Sequence, residues 1–205
     1  MDVILLYKGA IILKTLSKVL TSAFIKNKII EEYQREMCEY SLYIRFFSFV
    51  TFLCMFIIAS SAIGMVNSII FISAILLLRS RIGGYHAKSE ILCFILSNLV
   101  VFFSTYYVLP WIDTLSKITV VIALSLCDLA IILLKPEFPD NVNMGDQEIV
   151  ANRNITIRYV LIMNLMILAG LVGDFKLVNV NVILLSLIIV NSSTLVSKII
   201  RYKKI

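Results

Sequence analysis

From Leu78 to Cys93 the sequence reads LRSRIGGYHAKSEILC. It holds His86, the only histidine in 205 residues, together with Cys93, the pair Gly83-Gly84 and three basic residues, Arg79, Arg81 and Lys88. A cysteine and a histidine can act as nucleophile and base. The thiolate is the attacking species, and an imidazole and cations beside a thiol favour it. Each residue also has a plainer reading: a lone histidine is commonly structural or solvated, and a lone cysteine in an apolar helix commonly packs as a small hydrophobe. At the level of residue types both readings stand.

Spacing adds a geometric demand. On one straight helix, residues seven apart share a face but lie ~10.5 Å apart along the axis, beyond the ~3 to 4 Å of a nucleophile–base contact. A catalytic pair therefore cannot lie on one regular helix, and the segment before the third span must fold back so that His86 meets Cys93. Gly83 and Gly84 supply residues that tolerate such a bend, and their free N–H groups would suit a developing oxyanion.

The elements that must hold this stretch are membrane spans. The chain is 60% hydrophobic and only 16% charged, against roughly 45–50% apolar residues in a soluble domain. Uncharged apolar runs cover residues 46–78, 91–112, 118–127, 159–173 and 177–197. The first would reach ~50 Å as one helix, too long for a hydrocarbon core of ~30 Å. A break near Gly64 divides it into spans over about 41–63 and 65–81. With the run from Ile118 extended through Asp128 to Leu134, the expected fold is an all-α integral membrane protein with six transmembrane helices.

Charge gives the expected orientation, because cytoplasmic loops carry the excess of Lys and Arg. With both termini inside, only Lys117 and Lys176 of the 19 basic residues fall in outer loops. The stretch from Leu78 to Cys93 then faces the cytoplasm. This rule accounts for most of the net charge of +6 without a nucleic-acid partner. Irregular backbone at membrane depth needs cover from protein or water, so a water-accessible cavity opening to the cytoplasm is expected there.

The N-terminal region, residues 1–40, precedes a six-span bundle over 41–205 in one polytopic domain. Lys8, Lys14, Thr15, Lys18, Ser22 and Lys26 fall on one arc of a helix, opposite Leu5, Ile12, Leu13, Leu16, Val19, Leu20 and Phe24. Such a helix either lies in the membrane interface or packs on the protein itself. Interrupting lysines argue against a secretory signal.

Cys38, Cys54, Cys93 and Cys127 show no metal-ligand spacing, and one histidine cannot build a His-rich zinc site. No metal or cofactor is expected. Cys54 and Cys127 read as packing residues. Asp128, an ionisable residue inside a span, should face a partner, and either orients His86, pairs with Arg79 or makes a structural contact.

The pattern Arg79-x4-Gly84-x-His86-x6-Cys93, following a second apolar span and opening a third, resembles the accessory gene regulator B (AgrB) family of membrane peptidases that process quorum-sensing pro-peptides. The basic N-terminus, the span pattern and the polar connector LLKPEFPDN extend the resemblance over nearly the whole chain. It implies a cysteine endopeptidase with Cys93 as nucleophile and His86 as base, and with Arg79 and Gly84 at important positions. It also implies an AgrD-like precursor as substrate, residence in the bacterial cell membrane, and a homodimer. Arg81 and Lys88 would help attract the acidic tail of such a precursor. One departure is Tyr40-Ser41-Leu42-Tyr43, where many members have Tyr-Gly-Leu followed by Glu or Gln; Glu36 or Glu39 stands one turn earlier. The rival class is a non-enzymatic membrane protein, a peptide exporter or assembly partner, for which Cys93 would be dispensable.

Overall fold

The computed structural model describes residues 3–85, 87, 89–133, 145–173 and 179–202. Its regular structure is helical: α1 (Val3–Lys26), α2 (Arg35–Ile63), α3 (Met65–Ile82), α4 (Glu90–Phe103), α5 (Leu109–Asp113), α6 (Lys117–Leu133), α7 (Asp146–Val172) and α8 (Asn181–Tyr202), with short 3-10 and π turns at Glu32–Gln34 and Ser104–Val108. Contacts divide the chain into two compact units, Met1–Met55 and Phe56–Ile205. The division falls inside α2.

In the N-terminal unit, α1 ends in a left-handed cap at Lys28, with φ 57°. The Ile29 amide returns to Phe24 O and the Lys28 amide to Ile25 O, which satisfies carbonyls the ending helix would leave open. Along α1, Lys14, Lys18 and Lys26 are exposed, and so are the apolar Ile12, Leu16 and Val19, while Ser17 and Thr21 are buried. The buried stripe is thus not the apolar face that the sequence pattern singled out. Arg35 opens α2 between Glu32, at 2.6 Å, and Glu39, at 3.8 Å, and also donates to Ser22 Oγ.

α2 has 29 residues, about 44 Å of helix, so its charged first turns extend past a hydrocarbon core of about 30 Å. It stops where expected, at Gly64, whose φ of 77° and ψ of 164° end one helix and begin the next.

The second unit is an up-and-down bundle. α8 lies against α3, α5, α6 and α7, and its Val182, Ile183, Leu184, Leu185, Leu187 and Val190 are essentially inaccessible. α3 turns Phe71, Ile72, Leu78 and Ile82 inward, and the buried Ser186 hydroxyl bonds Phe71 O at 3.1 Å. Between membrane helices the cohesion comes from close packing and such hydrogen bonds, since lipid is as apolar as the side chains it replaces.

Between α4 and α5 the helix passes through the π turn without stopping, and residues 90–113 form one apolar rod. The cause is Pro110: its ring cannot sit against the carbonyl four residues earlier, and it offers no N–H. The Leu109 amide accordingly reaches Ser104 O.

Polar contacts mark the two ends of the bundle. At one end Asp113 accepts from Asn179 and Asn181, the Asn179 amide bonds Asn67 Oδ1, and Lys117 Nζ caps Leu171 O at 2.7 Å. At the other, Arg81 Nη1 donates to Asn152 Oδ1 and Arg153 to Ile132 O. These pairings make successive rods antiparallel. Among the described residues five helices are long and apolar enough to cross a membrane, namely Glu32–Ile63, Met65–Ile82, Glu90–Asp113, Gln147–Val172 and Asn181–Ile200. α6 contributes 17 described residues. The connector at 134–144 lies outside the described residues.

Candidate functional site

The site expected from the sequence begins where α3 ends. α3 stops at Ile82 and α4 starts at Glu90, so no single helix carries the stretch from Gly84 to Cys93. Gly83, at φ 76°, and Gly84, at φ 133°, take backbone conformations that residues with a Cβ rarely adopt. Both are buried. The chain leaves helical geometry at these two glycines, before the position of His86. His86 and Lys88 lie outside the described residues.

α4 is started by Ser89, whose Oγ accepts the Leu92 amide at 3.2 Å, a regular N-cap. Cys93 follows one turn in, with its amide on Ser89 O. Its thiol is free and half-buried, beside the buried Phe94. The segment before it is held from both sides. Arg79 Nη2 donates to Tyr85 O at 2.7 Å, and the Tyr85 amide donates to Ser193 Oγ of α8 at 3.2 Å. Arg81 turns instead to Asn152 of α7.

Asp128 does not join Arg79. Its Oδ2 accepts from Asn164 Nδ2 at 2.7 Å, while the Arg79 guanidinium is engaged with the loop carbonyl. The two sit on different helices and face different neighbours. The carbonyl of the adjacent Cys127 receives Asn191 Nδ2 at 3.3 Å, giving α6, α7 and α8 a shared polar seam. Among the described residues no three of His, Cys, Asp and Glu gather where they could hold a metal ion.

Sequence reasoning missed Ser193, Tyr85 and Asn152. Nothing in the local sequence marks them: Ser193 stands 108 residues from its partner Tyr85 in an apolar helix, and only the packing of α8 beside the break brings it there.

Several long apolar helices, five among the described residues long and apolar enough to span a bilayer, and a polar break between two of them define a multi-pass helical membrane protein. The family model for accessory gene regulator B matches residues 17–200. The chain belongs to that family. Membership implies a role in processing the precursor AgrD in quorum sensing, and the family is known as a peptidase acting on it. No curated protein and no solved structure matches the chain.

Proposed function

We propose that this protein is a membrane-embedded cysteine endopeptidase that removes the C-terminal tail of an AgrD-like precursor and promotes thiolactone ring closure. The observation that carries the reading is the position of Cys93: a free, half-buried thiol in the first turn of α4, directly after a backbone break that no helix bridges. His86, the only histidine, is in the sequence of that break.

His86 takes the thiol proton of Cys93 as the sulfur attacks the carbonyl at the end of the signal segment. The tetrahedral oxygen formed falls to the Gly84 N–H, because the Gly83 N–H, expected to be free, donates to Arg79 O at 2.9 Å at the end of α3. His86 returns the proton to the leaving amine, the acidic tail departs, and a thioester joins substrate to Cys93. A cysteine of the substrate then gives its proton to His86 and attacks this thioester. Cys93 leaves as thiolate and recovers the proton, so the exchange closes the ring without an added cofactor. Membrane burial favours this route by keeping water from the acyl-enzyme.

The exposed Ile12, Leu16 and Val19 beside exposed lysines on α1 support a helix lying in the membrane interface. The distribution of basic residues supports six spans, α6 being the one with Asp128 inside it, with both termini and the site on the cytoplasmic side. Arg81 is engaged with Asn152, so attraction of the acidic tail falls more to Lys88 and the remaining cytoplasmic cations. The functional unit is a homodimer, as the family resemblance implies.

The test is co-expression with a tagged AgrD-like precursor. Cys93→Ala is expected to abolish cleavage, and His86→Ala to reduce it to background with partial rescue by added imidazole. Cleavage persisting in the Cys93→Ala protein overturns the assignment.

A further inference from the structure

The Gly84–Tyr85 segment is fixed by two helices distant in sequence. Ser193 Oγ of α8 accepts the Tyr85 N–H at 3.2 Å, and Arg79 of α3 donates to the Tyr85 carbonyl at 2.7 Å. That carbonyl belongs to the peptide bond joining Tyr85 to His86. The residue preceding the candidate base is therefore clamped at both of its peptide groups.

Two further observations single out Ser193. Serine and threonine hydroxyls in helices ordinarily turn back on the carbonyl four residues earlier. Ser186, Thr194 and Thr156 do this, bonding Val182 O, Val190 O and Asn152 O. Ser193 instead reaches a backbone amide outside its own helix. Gly84 is also fitted to it, since a Cβ added at Gly84 would stand 2.8 Å from Ser193 Oγ and 3.6 Å from Ser193 Cβ. Glycine is required there by the approach of α8 as well as by its backbone angle.

We propose that Ser193 is a positioning residue for peptide processing: with Arg79, it fixes the backbone leading into His86 so that the base meets Cys93. This rests on the cysteine-peptidase reading above. Ser193 touches no reacting atom and acts through the Tyr85 amide. Without its hydroxyl the amide loses a partner and the segment is tied at one point instead of two.

The experiment follows iodoacetamide alkylation of Cys93 against pH in the full-length protein, with Cys38, Cys54 and Cys127 replaced by alanine. Ser193→Ala is expected to slow alkylation near neutral pH by roughly threefold to tenfold, the size of one lost hydrogen bond, and to move the pH profile toward that of His86→Ala. Ser193→Thr, which keeps the hydroxyl, should restore the profile, and Ser192→Ala, one residue away and exposed, should not change it. A Ser193→Ala profile identical to that of the parent, while His86→Ala shifts, overturns the proposal. A profile that His86→Ala also leaves unmoved removes the Cys–His reading itself, and the clamp's role with it. Should Ser193→Ala fail to accumulate, Gly84→Ala crowds the same contact and carries the same two outcomes.

Discussion

At the scale of single residues, a polar group in an apolar helix is best understood by the partner it was given. Asp128 is held by the Asn164 amide and not by Arg79, so its contact is between helices. Asp128→Asn keeps an acceptor for that amide and should leave peptide processing at the wild-type rate. Asp128→Leu leaves the amide without its acceptor and should destabilise the protein by about 1–3 kcal/mol, read as a lower midpoint of thermal unfolding in detergent. A folded Asp128→Asn protein that has lost processing would return Asp128 to the active site. Arg79 illustrates the same point: its guanidinium is engaged with the carbonyl of Tyr85, the residue directly after the buried glycine pair.

At the scale of elements, glycines divide into those that shape the backbone and those that let helices meet. Gly64 and the Gly83-Gly84 pair belong to the first kind, with positive φ at each. Gly170 belongs to the second: it is inside α7, and a Cβ there would run into Val180. Gly9, inside α1, has nothing within 4 Å. Gly170→Ala should therefore cost about 1–3 kcal/mol through overpacking, whereas Gly9→Ala should gain up to about 1 kcal/mol from helix propensity. Thermal unfolding of the two variants in one detergent checks the contrast, and equal midpoints would contradict it. The glycine breaks were legible in the sequence because each interrupts or ends an apolar run too long or too charged to continue. The π turn before Pro110 was not singled out, since a proline tells only that the hydrogen-bond ladder must give way, and its neighbours decide how.

At the scale of the whole molecule, the antiparallel order of the second unit and the charge distribution give a directional prediction. Asp113, Lys117 and Asn179 gather at one end of the bundle, and Arg81 and Arg153 lie at the other. In a protein cleared of its native cysteines, Ser116→Cys should react with an impermeant maleimide in intact cells, and Gln147→Cys only after the membrane is opened. Labelling of Gln147→Cys from outside would invert the proposed orientation. The charge rule also predicts that processing of an acidic-tailed precursor slows as salt rises, because the attraction at the cytoplasmic face is screened.

Composition and spacing by themselves determined that this chain is helical and membrane-bound, where its long apolar run must break, and that the Gly83-Gly84 pair ends a helix ahead of Cys93. Those conclusions follow from local physics: hydropathy, the rise of a helix and the backbone freedom of glycine. Tertiary structure decided which groups hold the bend. Ser193 comes to Tyr85 across 108 residues, Asn152 takes Arg81 and Asn164 takes Asp128. Such pairings depend on which faces of α7 and α8 turn toward α3 and α6, and in helices apolar on most sides the sequence carries little periodicity to specify them.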